Sequence, residues 1–257
     1  MAGHVCAVDI VGHRGAAWDA PENTVASYRL AWERGADAAE VDIYLTRDSR
    51  IVGIHDRTTK RTTGVDWVVA KRTLEELRTL DAGSWKDSRW KGEPIPTLAE
   101  VLATIPEGRR LYIEIKCGPE IVPVLKEVLR SSGRPPEQTV LIGFGLDAVR
   151  EAKKAMPELK IYWLSGWKQD KDTGRWLTSV EDLIASAREA GVDGLDLAAN
   201  GPLDAEAVAK IRDAGLEFHV WTVNDPAVAR RMIALGVDSI TTDRPGWLRA
   251  NLSDETN

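Results

Sequence analysis

The chain has 257 residues, 43% of them hydrophobic, a formal net charge of −6 and 2 cysteines. That length and apolar share fit one sizeable core. An acidic balance with no basic block argues against nucleic acid as a partner, and two cysteines, Cys6 and Cys117, make no disulfide framework.

The opening MAGHVCAVDIVGHRG lacks the basic and apolar regions of a leader peptide. No run of about 18 apolar residues follows, so no membrane insertion and a cytoplasmic location are expected. A β-rich run spans 7–11 (AVDIV), and a helical pattern covers 24–34. A second run, 38–43 (AAEVDI), leads into a long connection over 43–97. The connection starts as a hairpin, LTRDSRIVGIHD, turning at Asp48-Ser49. It then holds a short helix near 73–80, a Trp-rich loop and the start of a helix at Thr97. Long loops inside compact domains usually serve function.

Beyond it the alternation is regular. Runs at 111–115, 139–143, 160–164, 193–197, 217–222 and 237–241 are separated by helical patterns at 119–131, 146–155, 179–190, 203–214 and 225–235. Asp225-Pro226 opens the last of these as a cap followed by an N1 proline. Eight strands alternating with helices predict an α/β fold, a (β/α)8 TIM barrel formed as a single domain over 1–257, with the 43–97 connection across its mouth. An open doubly wound sheet is the alternative. No G-x-G-x-x-G follows a strand, so no dinucleotide site is expected.

In such a barrel the chemistry sits at the carboxyl ends of the strands. His13 and Arg14 follow the first run, and Glu40 and Asp42 close the second. Glu114 and Lys116 close the third, Trp221 and Asn224 follow the seventh, and Asp243 follows the eighth. Residues two apart share a face of a strand. Glu40 and Asp42 therefore point one way with Val41 and Ile43 opposite; Glu114 and Lys116 do the same against Ile113 and Ile115. With the apolar partners facing the helices, three carboxylates converge on the barrel mouth. Buried anions need a cation, and an all-oxygen set suits Mg²⁺ or Ca²⁺. The plainer reading is a salt-bridged core built with Arg14 and Lys116. Of the 4 histidines, His13 sits at a strand end beside Gly15, and its plain reading is a turn residue. His55 closes the hairpin, where a surface position is the plain alternative. His219 lies inside a strand and reads as a satisfied core histidine. His4 is given no role.

Taken together the motifs carry a resemblance. GHRG at 12–15, PENT at 21–24, GADAAEVDIYLTRD at 35–48, IVGIHD at 51–56, RTTGV at 61–65, LDAGSW at 80–85, PIPTL at 94–98, IEIK at 113–116, VWTVND at 220–225 and TTDRP at 241–245 occur in family order across nearly the whole chain. The sequence resembles the glycerophosphodiester phosphodiesterases. The resemblance implies a metal-dependent phosphodiesterase that cleaves small glycerophosphodiesters, such as glycerophosphocholine or glycerophosphoethanolamine, to sn-glycerol 3-phosphate and an alcohol. It places the catalytic histidines at His13 and His55 and the metal carboxylates at Glu40, Asp42 and Glu114. The phosphate-facing cations fall on Arg14 and Lys116. Glu22 and Asn23 support the site, and Trp221 is an aromatic wall. The PENT segment is expected to cap the first helix through Asn23 or Thr24.

Three rivals remain at this level: a glycoside hydrolase with paired carboxylates, a phospholipase D-like enzyme acting on lysolipids or sphingolipids, and a catalytically silent phosphate-binding barrel. The 10 tryptophans add one expectation. Trp67, Trp85 and Trp90 in the long connection, and Trp163, Trp167 and Trp176 around the loop after the fifth run, stand near the mouth. Aromatic faces attract quaternary ammonium, which points to a choline headgroup; the plainer reading is that these tryptophans pack under the long loops.

Overall fold

A computed structural model describes residues 8–253. His4, Cys6, Ala7 and the start of the segment read for a leader lie outside the described residues. Nine strands form one sheet: β1 (Asp9–Gly12), β2 (Ala38–Leu45), β3 (Ile51–Gly53), β4 (Arg110–Ile115), β5 (Thr139–Gly143), β6 (Lys160–Ser165), β7 (Gly194–Ala198), β8 (Glu217–Trp221) and β9 (Ser239–Thr242). Their order is β1-β9-β8-β7-β6-β5-β4-β2-β3, and a further β1–β2 pairing closes the ring. The eight ring strands are all parallel. This is the expected (β/α)8 barrel, and the open-sheet alternative falls. The ninth strand, β3, is the hairpin return and pairs antiparallel with β2.

The two faces of each ring strand separate as period-2 geometry requires. Val41, Ile43, Ile113 and Ile115 join the outer core with helix residues such as Tyr28, Leu98 and Leu125. Inside the ring, Val11, Tyr112, Val140, Ile142, Tyr162 and Leu164 form a second cluster. A third lies under the long connection, built on Val52, Val69, Leu77 and Ile95.

Helices form where the caps allow. Asp225 accepts from the Ala227 amide ahead of Pro226, as its sequence predicts. Thr97 closes a capping box with Glu100. The helix at 119–131 opens as a 3₁₀ turn (Pro119–Ile121) before Val122–Ser132. The one at 73–80 is shorter, Leu74–Leu77. A terminal helix, Pro245–Ser253, was not apparent in the sequence pattern. Pro245-Gly246 reads as a turn, yet Gly246 packs so close to Arg34 that an added Cβ would lie 2.9 Å from the arginine Cβ.

Candidate active site

The carboxyl end of β1 is bent to serve the ring. Arg14 has φ 50° and Gly15 φ 87°, both left-handed. A Cβ on Gly15 would lie 2.4 Å from Ser27 Oγ, so glycine is required there. The bend aims the Arg14 amide at Glu40 Oε2, 2.8 Å away. Ser27 Oγ donates to the Arg14 carbonyl at 2.9 Å. Asn23 is left-handed too, at φ 57°. Its Nδ2 donates to Asp42 Oδ2 at 2.8 Å, while its Oδ1 accepts from the Asp42 amide and from Tyr28 Oη. Asn23 therefore holds a carboxylate, and Thr24 alone caps the helix through the Ser27 amide.

Register sets Asp42 of β2 beside Glu114 of β4. Glu40, Asp42 and Glu114 are all buried, and one oxygen from each lies within 4.8 Å of the others. Glu40 Oε1 and Asp42 Oδ1 are buried without a hydrogen-bond partner. Lys116 Nζ sits 2.8 Å from Glu114 Oε1 and 3.4 Å from Asp42 Oδ1. Arg14 Nε lies 3.2 Å from Asp42 Oδ2.

Burial first, and then the charges of Asp42 and Glu114, push the Glu40 carboxyl well above the usual range. Burial and Asp42 push Glu114 up to about 7. Burial works in the same direction on Asp42, but Arg14 and Lys116 outweigh it and hold that carboxyl low. Three carboxylates with two orphaned oxygens and an all-oxygen donor set fit a hard divalent cation. The expected ligand triad is assembled, and it could hold such an ion.

Each flanking imidazole is fixed through Nδ1. His13 Nδ1 meets Asp243 Oδ1 at 2.6 Å, and Asn224 Nδ2 donates to Asp243 Oδ2 at 2.6 Å. His55 stands just past β3, where the Ile54 amide donates to the Asp42 carbonyl at 2.9 Å. Its Nδ1 meets Asp56 Oδ1 at 2.7 Å. Arg61 Nε donates to Asp56 Oδ2 at 2.7 Å and forks onto Glu22 at 2.7 and 2.8 Å. Glu22 Oε1 in turn accepts from Arg14 Nη1 at 2.8 Å. An imidazole whose Nδ1–H goes to a carboxylate keeps its Nε2 lone pair for other work. Burial, helped by Arg14 and Lys116, lowers the His55 pKa against the opposing pull of Asp42 and Asp56.

His13, Arg14, Glu40, His55, Glu114, Lys116 and Trp221 line one cavity of about 110 Å³, with Phe144 and Asp196 completing part of its wall. Asp42 and Asn23 lie behind it, fully or nearly buried. Every residue expected at the site is brought to it. The sequence reading gave no role to Asp243, Asp56, Arg61, Asp196 or Phe144. Asp56 had a signal in directly following His55, and Asp243 in closing a ring strand. His219 is the core histidine expected, bonded to Ser239 Oγ at 2.8 Å and stacked on Tyr162 with centroids 4.0 Å apart.

One expectation is corrected. Trp67, Trp85 and Trp90 do not line the cavity. Their rings carry cations of the chain itself: Arg72 at 4.4 Å, Lys86 at 5.8 Å and Arg89 at 5.1 Å. Trp67 packs against the cluster under the long connection, as the plainer reading of these tryptophans has it.

A parallel barrel with carboxylates, two cations and two carboxylate-held imidazoles at the carboxyl ends of its strands defines an enzyme of anionic-ester chemistry. The glycerophosphoryl diester phosphodiesterase family model matches residues 13–247. A glycerophosphodiester phosphodiesterase from Caldanaerobacter subterraneus is 35% identical over 243 residues, covering 93% of this chain and 95% of the relative. One from Bacillus subtilis is 32% identical over 253 residues, covering 91% and 83%. Among solved structures, a phosphodiesterase from Oleispira antarctica in complex with the product sn-glycerol-3-phosphate superposes with a TM-score of 0.85 at 29% identity, covering 95% of this chain and 96% of that one. The chain belongs to the glycerophosphoryl diester phosphodiesterase family. No helix among the described residues is long and apolar enough to cross a membrane.

Proposed function

We propose that the protein hydrolyses small glycerophosphodiesters to sn-glycerol 3-phosphate and an alcohol. The observation that carries this is the pair of imidazoles, each held through Nδ1 by its own carboxylate, on the wall of the cavity that also holds the acidic triad. The product named for the Oleispira antarctica structure supports the same reading. Glu40, Asp42 and Glu114 would hold a divalent ion, Mg²⁺ or Ca²⁺, which would supply charge neutralisation and Lewis acidity when bound.

The chain's own residues do the rest. Lys116 and Arg14 share the charge that builds on phosphorus, and Glu22 and Asn23 hold Arg14 and Asp42 in place for it. His55, with its lowered pKa, is the base. It takes the proton from the attacking hydroxyl, which is the glycerol 2-OH or a water. As the new P–O bond forms, the bond to the alcohol breaks, and His13 returns a proton to the departing oxygen. Water attack gives sn-glycerol 3-phosphate directly; attack by the 2-OH gives a cyclic phosphate, which a water then opens with the roles exchanged, His13 taking the water's proton and His55 returning one to the 2-oxygen. Trp221 walls the side on which the alcohol leaves. The barrel and its 43–97 connection act as one unit, because His55 and Arg61 come from that connection. The protein works on dissolved diesters in the cytoplasm, with nucleic acid no part of its action.

A panel of glycerophosphodiesters, with phosphorus NMR of the products, tests the reading. Turnover to sn-glycerol 3-phosphate is expected, abolished by chelator and restored by Mg²⁺ or Ca²⁺. His13→Ala is expected to lower kcat by at least about 10²-fold. Turnover that survives exhaustive chelation would remove the metal, and normal turnover by His13→Ala would remove the acid.

A further inference from the structure

A bound cation accounts for the orphaned oxygens of Glu40 and Asp42, but one more buried carboxyl on the same cavity wall has no such account. Asp196 of β7 lines the cavity with His13, Glu40 and Lys116. It is 1% exposed, and its Oδ1 has no hydrogen-bond partner. It is not one of the three residues of the acidic triad. In the ring order β7 stands opposite β2, with three strands between them either way round. Leu195 and Leu197 on either side of it belong to the outer core, so the Asp196 side chain faces the inside of the ring. An unpaired carboxyl in that place opposes folding, and its presence needs a reason outside the fold.

Depth narrows what it can meet. Register sets Asp196 level with Leu164 of β6 and His219 of β8, one inward step deeper than Trp221, which pairs with Ala198. Directly below, the ring is full. Gly194, two residues back on the same inward face, has no room for a methyl group: a Cβ there would lie 2.9 Å from Tyr162 Cδ1 and 2.8 Å from the Glu217 carbonyl oxygen. Asp196 therefore stands at the closed end of the cavity, with Ile142 and Leu164 among the lining residues. The departing alcohol differs in size from one diester to the next and must leave through the mouth. The glycerol end is the same in all of them, and a closed end of fixed size suits the constant group. Its 2-OH belongs beside phosphorus, whereas its 1-OH is one carbon further on and free to reach the opposite wall.

A hydroxyl is also what this carboxyl can take. It would repel a phosphate oxygen, for which Arg14 and Lys116 provide on other strands. A hydroxyl bonds a carboxyl in either protonation state, donating to the carboxylate or accepting from the acid. Ile142 and Leu164 give the carbon chain an apolar wall. We propose that Asp196 binds the 1-hydroxyl of the glycerol moiety and so selects diesters with an intact glycerol end. The inference rests on the phosphodiesterase reading above, which supplies the glycerol.

The test compares kcat/KM, in the metal-loaded protein, for glycerophosphocholine and for its 1-deoxy analogue, the 2-hydroxypropyl diester of phosphocholine, which keeps the 2-OH. The wild type is expected to favour the intact glycerol by roughly 10–100-fold, the scale of one hydrogen bond to a charged group. Asp196→Ala should bring that ratio close to one. Asp196→Asn, whose amide oxygen still accepts from a hydroxyl, should keep most of it. The preference between glycerophosphocholine and glycerophosphoethanolamine should be the same in Asp196→Ala as in the wild type. In the wild type alone, sn-glycerol 3-phosphate should inhibit better than 2-hydroxypropyl phosphate, a measurement that needs no variant. Equal wild-type kcat/KM on the two choline diesters, equal inhibition by the two phosphates, or an unchanged ratio in Asp196→Ala would overturn the assignment while leaving the chemistry intact. So would a shift in headgroup preference with the glycerol ratio unmoved, which would put the carboxyl on the departing alcohol. Absence of turnover on every diester would instead overturn the phosphodiesterase reading, and the assignment with it.

Discussion

His13 and His55 are set by carboxylates of different character. Asp243 is bonded by the neutral Asn224, whereas Asp56 is bonded by the Arg61 guanidinium. A cation on Asp56 draws away part of the charge that would favour protonated His55, which suits a base. Asp243 meets His13 Nδ1 on one oxygen and takes a neutral amide on the other, so it fixes the imidazole and its tautomer, which leaves Nε2 for the leaving oxygen. Asp243→Asn should therefore lower kcat at neutral pH by about 10²-fold or more with little change in KM, because the amide can neither fix the tautomer nor support the imidazolium. Steady-state kinetics beside an unchanged circular dichroism spectrum checks this; a normal kcat would mean Asp243 only fills space. Asp196 poses a different question. It is buried, Oδ1 has no partner, and burial together with Glu114 pushes its carboxyl up to about 8. A folded pKa above the unfolded value of about 3.9 gives stability that is whole below about pH 4 and fades as pH rises through 8. Asp196→Asn should gain on the wild type steadily over that window, read as the Tm difference in chelated protein. A difference flat in pH would show that the carboxyl does not titrate there. The E-x-D and E-x-K spacings were legible because side-chain alternation is local. The position of Asp243 at a strand end was legible too, but its pairing with His13 was not, because His13 lies 230 positions away and meets it only when the ring closes.

The hairpin and the loop after β3 bring three functional side chains to the mouth: His55, Asp56 and Arg61. The turn itself was readable, since Asp48-Ser49 is turn chemistry and Ser49 sits at φ 56°. What the connection does was not, because Arg61 acts by joining two elements. It ties Asp56 to Glu22, and Glu22 ties Arg14, so base and phosphate clamp share one chain of ion pairs. That chain needs a planar fork. Arg61→Lys keeps the charge but cannot reach two carboxylates with parallel bonds. It should lower kcat by about tenfold, a loss of one or two charge-assisted hydrogen bonds at the site. The urea midpoint should move less than kcat, because the lysine keeps a positive charge beside the largely buried Glu22 and the Arg61 side chain is 42% exposed. A variant that loses stability in proportion to activity would make Arg61 a structural tie only. The PENT segment teaches the same lesson at smaller scale. Thr24 was readable as a cap; Asn23 took a left-handed conformation to bond Asp42 on another element, and no local rule anticipates that.

Closing the ring forces charge together. Register alone sets Asp42 beside Glu114, and Glu40 sits two residues back on the same inward face. Desolvating three carboxylates in one place opposes folding, and Arg14 and Lys116 offset only part of it, as the raised pKa of Glu40 and Glu114 records. The barrel's hydrophobic layers hold the arrangement, which makes the whole molecule's stability a readout of the site. A divalent ion that binds only the folded protein should stabilise it by mass action, about 2.7 kcal/mol at a hundredfold excess over Kd. For a chain of this length that corresponds to a rise in Tm of roughly 5–10 °C. Glu40→Gln should move the other way in two respects: the chelated variant should melt above the chelated wild type, since one repelling charge is gone, and its response to Mg²⁺ or Ca²⁺ should shrink. Thermal melts of both proteins with chelator and with each ion decide the matter. If wild-type Tm is the same in chelator and in excess ion, the three carboxylates are a salt-bridged core held by Arg14 and Lys116, the plainer reading that the sequence also allowed.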